Sequence, residues 1–210
     1  MRIGFIGAGH VGGTLAKLLA DAGHEVALSN SRGPDTLAEL VERIGGRARA
    51  MTVEDAAAFG EVVVVSIPLR NHRDVPVEPL AGKVVVDTNN YYAGRDGRIE
   101  ELESDRTTSS EMLQEHLRGA RVVKAFNTLY FETLASQGRP AGEPERFAIP
   151  ISGDDADAKK VVAGLIDEIG FDAVDVGDLA TGGRRQQPGS PVYNVLVTAD
   201  QLREQLAGSA

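Results

Sequence analysis

The chain has 210 residues, 42% of them apolar, which suits one generous globular domain, or a core domain with a small appendage, and not a disordered chain. A net charge of −9 without a basic stripe argues against nucleic acid and anionic membrane surfaces as partners. The absence of cysteine excludes disulfides, thiolate catalysis and thiolate metal sites.

The first predicted element is a strand at about Arg2–Ile6. A signal peptide would need a basic start, a longer apolar core and a small-residue cleavage site. No stretch approaches the ~18 apolar residues of a membrane span, so a cytoplasmic location is expected. A helix over roughly His10–Ala22 carries Val11, Leu15, Leu18 and Leu19 on one face, with Gly23 at its C-terminal cap. A second strand, Glu25–Ser29, leads to a helix near Asp35–Ile44, with Pro34 suited to its first turn. A short strand at Arg47–Met51 follows. Thr52 then caps a helix through Phe59, with Asp55 completing a loose capping box.

Four consecutive valines within Glu61–Ser66 mark a strand covered on both faces, which Pro68 ends. Next come a strand at Lys83–Asp87, a helix at Ser109–Leu117 and a strand at Arg121–Ala125. A polar loop, 136–146, separates these from a strand near Phe147–Ser152, a helix over Asp154–Ile169 and a last strand at Phe171–Val176. Residues 181–191 read as a flexible basic loop, and a final helix is expected over about Val192–Leu206, packed on the core or on a second subunit. Strands alternating with helices predict an α/β fold: a doubly wound, mainly parallel sheet with a small C-terminal appendage.

The strongest motif is Gly7-Ala8-Gly9-His10-Val11-Gly12, a G-x-G-x-x-G turn directly after a strand and before a helix. Gly7 permits the tight turn, Gly9 lets backbone approach a pyrophosphate, and Gly12 lets helix and strand pack closely. The free N–H groups and partial positive charge of the helix N-terminus favour the anion. The motif predicts a Rossmann-type dinucleotide site.

The second strand's end decides which dinucleotide. A carboxylate there selects NAD by binding both ribose hydroxyls, and it repels a 2′-phosphate. This chain has Asn30, Ser31 and Arg32 instead, and its first acid is Asp35. Ser31 can donate to a phosphate oxygen, and Arg32 can pair with the dianion and stack on adenine. The stretch predicts NADP(H).

Further strand ends supply candidates for the nicotinamide half. Ile67 and Pro68 could lie against the ribose or ring, with Asn71 and His72 close by. Asn89 lies in the amide-rich run Asp87–Tyr92, and Asn127, in the run Ala125–Thr128, is a candidate substrate contact. Each also suits an ordinary turn. The four histidines are scattered without metal-ligand spacing, and no metal site is expected. Lys124 is a candidate proton carrier by chemistry, although it lies in an apolar strand run.

Together the GAGHVG turn, Ser31-Arg32, SIP at 66–68, VVKAFNT at 122–128 and ISGDDADAKKVV at 151–162 resemble the NADPH-dependent coenzyme F420 reductases. The resemblance implies direct hydride transfer between NADP(H) and the deazaflavin coenzyme F420, with protein aligning the two and excluding water. It requires no acid–base residue, in keeping with the lack of an evident catalytic constellation.

It also implies an NADP-binding domain over residues 1–146 and a C-terminal α/β portion, 147–210, that completes the acceptor pocket. Ala8, Gly9, His10 and Val11 would contact the pyrophosphate, and Ser31 and Arg32 the 2′-phosphate. Ile67, Asn71 and Ala125 would lie near the nicotinamide. Arg184 and Arg185 would receive the anionic F420 tail, or else belong to a solvated loop. A homodimer is expected, with a small-molecule hydride acceptor as the partner.

The family pattern is broken at Leu69, at DTNNYY (87–92) and at GGRRQQPGSPVYN (182–194), all on the acceptor side. Reduction of another small substrate, or a non-catalytic NADPH-sensing role, therefore stands beside the leading reading.

Overall fold

The computed structural model describes residues 1–208. Its strands are β1 (Arg2–Ile6), β2 (Glu25–Ser29), β3 (Ala48–Ala50), β4 (Val62–Val65), β5 (Val84–Asp87), β6 (Arg121–Lys124), β7 (Ala148–Gly153) and β8 (Asp172–Asp175). They form one sheet in the order β3-β2-β1-β4-β5-β6-β7-β8. From β3 to β6 every pairing is parallel. β7 runs antiparallel to β6, with Val123 opposite Gly153 and Lys124 opposite Ser152, and β8 runs parallel to β7. The valine runs of β4 and β5 lie mid-sheet and are buried throughout, as strands covered by helices on both faces must be.

The longer helices are α1 (His10–Asp21), α2 (Ala38–Ile44), α3 (Val53–Phe59), α6 (Ser109–His116) and α8 (Ala156–Glu168), with α10 (Ala199–Ala207) at the end. Short ones fill the connections: α4 (Ala93–Asp96), α5 (Glu100–Glu103), α7 (Phe131–Ser136) and α9 (Thr181–Arg185). One core cluster joins Ile3 and Phe5 of β1 to Ile149 and Ile151 of β7 and to Val162 and Leu165 of α8. It crosses the boundary expected at residue 146 without a break.

Several elements differ from the sequence expectation. The helix expected near Asp35–Ile44 begins as a 3-10 turn, Pro34–Leu37, and becomes α-helical at Ala38. Thr52 caps α3 by accepting from the Asp55 amide at 3.1 Å, but the Asp55 carboxylate accepts a hydrogen bond from the Thr52 hydroxyl at 2.8 Å, not from the Thr52 amide. The cap is therefore not the reciprocal box.

Residues 181–191 are not a loop throughout, because α9 occupies the first five. Gly182 of α9 lies so close to β7 that a Cβ there would stand 2.7 Å from the Ser152 Cβ. The last helix starts at Ala199 and not near Val192, and Thr198 with Gln201 forms its reciprocal capping box. Val192, Val197 and Leu202 are buried with Ala148, Val174 and Val176, so this segment packs on its own core.

The chain leaves β1 in one direction and β4 in the other, which opens a crevice beyond their carboxyl ends. No helix among the described residues is long and apolar enough to cross a membrane.

Candidate functional site

The three motif glycines answer to different neighbours. Gly7 has φ +101°, and a Cβ on it would stand 2.1 Å from the Ser66 carbonyl oxygen. A Cβ on Gly12 would stand 2.2 Å from the Gly7 carbonyl oxygen. These two are required by the protein's own packing. Gly9 has ordinary backbone angles, and a Cβ there would meet nothing within 4 Å. Its bare backbone faces open space at the N-terminus of α1, where no side chain caps the helix. A group brought from outside can approach there.

Three cavities touch this turn: one of about 860 Å³ runs back along α1 past Lys17, Leu40 and Arg43, and the other two lie along the strand ends. The first of these two, about 530 Å³, is lined by Gly7, Ala8 and Gly9 on one side and by Asn30, Ser31 and Arg32 on the other. The Asn30 Oδ1 accepts the Arg32 amide at 2.8 Å, and its Nδ2 donates to Thr36 Oγ1 at 2.9 Å. Asn30 thus shapes the turn that presents its two neighbours. The Ser31 hydroxyl and the Arg32 guanidinium have no hydrogen-bond or ion-pair partner among the described residues. Asn71 lines this cavity and not the second, because the 3-10 turn at Leu69–Asp74 carries it back past Pro68, where it donates to Asp74 at 2.9 Å.

The second cavity, about 310 Å³, shares Gly9, Ser66, Ile67 and Pro68 with the first. His10, Val11 and Asn89 line it, and the His10 ring stacks on Phe131 at 4.4 Å, so His10 contributes its side chain as well as its backbone. Asn89 Oδ1 accepts the Ile67 amide at 2.9 Å. Its Nδ2 is buried with no partner, an amide donor left over just behind the cavity wall.

Ala125 packs in the core and does not line the cavity. β6 ends one residue earlier than expected, and Phe126, with φ +62°, turns the chain so that Phe126 and Asn127 form the wall. Gly12 lies beneath, in the helix–strand contact.

Lys124 is not at the cavity. It is fully buried, and its Nζ donates to the Asn89 carbonyl at 2.9 Å and to Ser109 and Ser110 at 3.2 and 3.1 Å, with Asp87 3.7 Å away. Burial holds it below the ordinary lysine value of 10.5, and Asp87 opposes that shift. It supports the Asn89 backbone from below.

The C-terminal portion closes the far wall. Asn127 Nδ2 donates to Asn90 Oδ1 at 2.9 Å and to the Gln186 carbonyl at 2.7 Å, so the amide expected to meet substrate is used to anchor this segment. The Asn194 amide donates to the Thr128 carbonyl at 2.8 Å. These anchors bring Tyr193 into the cavity beside Tyr92, and the two hydroxyls are hydrogen-bonded. Burial, and then the bond to Tyr92, pushes the Tyr193 phenol above its ordinary value of 10.0.

Tyr92, Arg95, Tyr130, Phe131 and Tyr193 also line this second cavity, and of these only Tyr92 falls within a run that the sequence offers for the nicotinamide half. Tyr91-Tyr92 after two asparagines at a strand end was the available signal, whereas Tyr193 reaches the cavity through tertiary anchoring alone. Arg184 pairs with Asp105 at 2.9 Å, and Arg185 donates to the Val176 carbonyl at 3.3 Å. Neither lines the two cavities, because α9 carries them to its outer side. The histidines are less scattered than their spacing suggests: His72 and His116 meet edge to face at 6.1 Å, bonded to the carbonyls of Leu69 and Val75.

Comparison with known proteins agrees with this geometry. Residues 2–91 match the family model "NADP oxidoreductase coenzyme F420-dependent". A structure from Arthrobacter sp. fb24, provisionally assigned as an F420-dependent NADP reductase, is 30% identical with a TM-score of 0.76, over 94% of this chain and 99% of that one. A hypothetical protein of Sinorhizobium meliloti is 33% identical with a TM-score of 0.82, over 94% and 95% of the two chains. The metalloreductase STEAP3 of Rattus norvegicus is 28% identical over 86% of this chain, which spans about a third (34%) of that relative's length. The chain belongs to the coenzyme F420-dependent NADP oxidoreductase family and is an NADP-dependent oxidoreductase.

Proposed function

We propose that the chain transfers hydride between NADP(H) and a flat conjugated acceptor, with coenzyme F420 as the leading candidate. The observation that carries this reading is the pair of joined cavities sharing Gly9, Ser66, Ile67 and Pro68. A dinucleotide needs two connected compartments along the strand ends, and the bare Gly9 backbone stands at their junction.

Ser31 and Arg32 would hold the 2′-phosphate, and the amides of Ala8, Gly9, His10 and Val11 the pyrophosphate. The unpaired Nδ2 of Asn89 would donate to the carboxamide once a small shift of the wall uncovers it. When bound, NADPH supplies one hydrogen with two electrons. Ile67, Pro68 and the His10–Phe131 stack would keep water from the site. The room left between this wall and Tyr193 favours turnover over a purely sensing role.

The test mixes protein, NADPH and oxidised F420 and follows the deazaflavin absorbance, with NADH as the control. Fast loss with NADPH and little with NADH is expected. Arg32→Ala should cut the NADPH-over-NADH preference by about 10- to 100-fold, the worth of one charge-assisted contact. An unaltered preference would remove Arg32 from the phosphate site. NADPH binding without F420 reduction would require another acceptor.

A further inference from the structure

The Tyr92 and Tyr193 hydroxyls carry two hydrogens between them. Their mutual bond uses one, whichever of the two donates. The other hydrogen has no acceptor among the described residues. Asn90 Nδ2 approaches the Tyr193 oxygen at 3.4 Å, but as a donor, so it occupies a lone pair and takes no hydrogen. Both tyrosines line the cavity that also holds His10, Ile67, Pro68 and Asn89. A hydrogen-bond donor is thus left over on the wall facing the nicotinamide half. Tyr92 is 39% exposed, so this donor faces solvent until a bound acceptor covers it, and an apolar acceptor would then leave it unmatched.

We infer that the Tyr92–Tyr193 pair is the specificity element for the hydride acceptor, donating its spare hydrogen to a carbonyl oxygen conjugated with the ring atom that takes the hydride. The inference rests on the hydride-transfer reading above. It commits the acceptor to a class: planar rings bearing such a carbonyl, as deazaflavins, flavins and quinones do. Simple imines and alkenes offer no such oxygen.

The contact moves no proton. Hydride transfer breaks the nicotinamide C–H bond and adds that hydrogen with both electrons to the acceptor; the negative charge so formed spreads onto the conjugated oxygen, and solvent later supplies the proton that neutralises it. A fixed donor there acts as an oxyanion donor does, strengthening as charge develops. The raised phenol pKa of Tyr193 fits a group that stays neutral and donates. Tyr193 itself is placed by Asn90, whose Nδ2 donates to the Asn127 backbone carbonyl and whose Oδ1 accepts from Asn127 Nδ2.

The test measures equilibrium binding of oxidised F420 to the NADP⁺ complex, where no turnover occurs, alongside NADP⁺ binding and NADPH-driven reduction. Tyr193→Phe and the double variant Tyr92→Phe/Tyr193→Phe keep both rings and remove the donors. NADP⁺ affinity should be unchanged in each. F420 affinity should fall about 10-fold in the double variant, and kcat about 100-fold. F420 binding and kcat equal to wild type would overturn the inference and leave the hydride-transfer reading standing. Failure of the unaltered protein to bind or reduce F420, with NADP⁺ still bound, would overturn the F420 reading and this inference with it. If the double variant loses NADP⁺ binding, Tyr193→Phe alone decides, and unchanged F420 affinity there counts against the pair.

Discussion

At the scale of single residues, the glycine turn separates what folding needs from what binding needs. Gly7 and Gly12 have no room for a methyl group, whereas a methyl group on Gly9 would meet nothing within 4 Å. Gly9→Ala should therefore leave the melting temperature within about 2 °C of wild type, since φ −77° suits alanine. Its NADPH dissociation constant should rise at least 10-fold, about 1.4 kcal/mol, because the methyl group would fill the space left for the pyrophosphate. Gly12→Ala should do the reverse first. Crowding the Gly7 carbonyl costs about 1–3 kcal/mol and lowers the melting temperature by about 3–10 °C. Thermal unfolding and NADPH titration of both variants check this. Equal NADPH affinity in Gly9→Ala would remove Gly9 from the binding surface.

Elements impose a second kind of constraint, visible where β5 and β6 end. Asp87 Oδ1 accepts the Asn89 amide at 2.9 Å, and its Oδ2 accepts the Ser110 hydroxyl at 2.6 Å. With Lys124 these groups tie both strand ends to the start of α6. Lys124→Met would strand the Asp87 carboxylate in the core and should cost about 3–5 kcal/mol in urea unfolding. Lys124→Met/Asp87→Asn should recover part of that.

The pH dependence has a definite sign. With the folded pKa of Lys124 below 10.5, the folded state binds fewer protons than the unfolded one in that range. Its contribution therefore grows as pH rises toward 10.5 and is lost as pH falls. The stability gap between wild type and Lys124→Met should widen over that alkaline range. A gap independent of pH would mean that Lys124 titrates normally.

Such pairs also mark the limit of sequence reading. The valine strands, the glycine turn and the SNSRGP stretch were legible because each writes its requirement in consecutive residues. A lysine within Arg121–Lys124 shows neither that it is buried nor that it meets Asp87 across the ladder, since that depends on strand register. Residues 181–185, with two glycines, favour a loop by local propensity. They become helix because close packing on β7 needs small residues. The start of the last helix was legible after all, in Thr198 and Gln201, but the apolar residues from Val192 onward suggested a longer span.

The molecule as a whole raises the question of whether residues 147–208 form a separate unit. The resemblance suggests a small portion appended to a nucleotide domain, and the reversed direction of β7 and β8 marks the join. Packing points the other way. Ile149, Ile151, Val162, Leu165 and Phe171 share one core cluster with Phe5, Val64 and Val86. The Gln186 carbonyl and the Asn194 amide are bonded across the join. A unit that shares its core this fully has no favourable partly folded form, so unfolding should be a single cooperative transition.

The tyrosines make this measurable without labels, because the chain has no tryptophan. Tyrosine emission of a Tyr91→Phe/Tyr92→Phe/Tyr130→Phe variant reports Tyr193 alone, in the C-terminal portion, while far-UV circular dichroism reports the whole molecule. The two urea curves of that variant should coincide, and saturating NADPH should shift both to higher denaturant together. If the Tyr193 signal were lost first, at a midpoint that NADPH does not move, residues 147–208 would be an independent lid. The acceptor cavity would then be assembled by docking and not by folding.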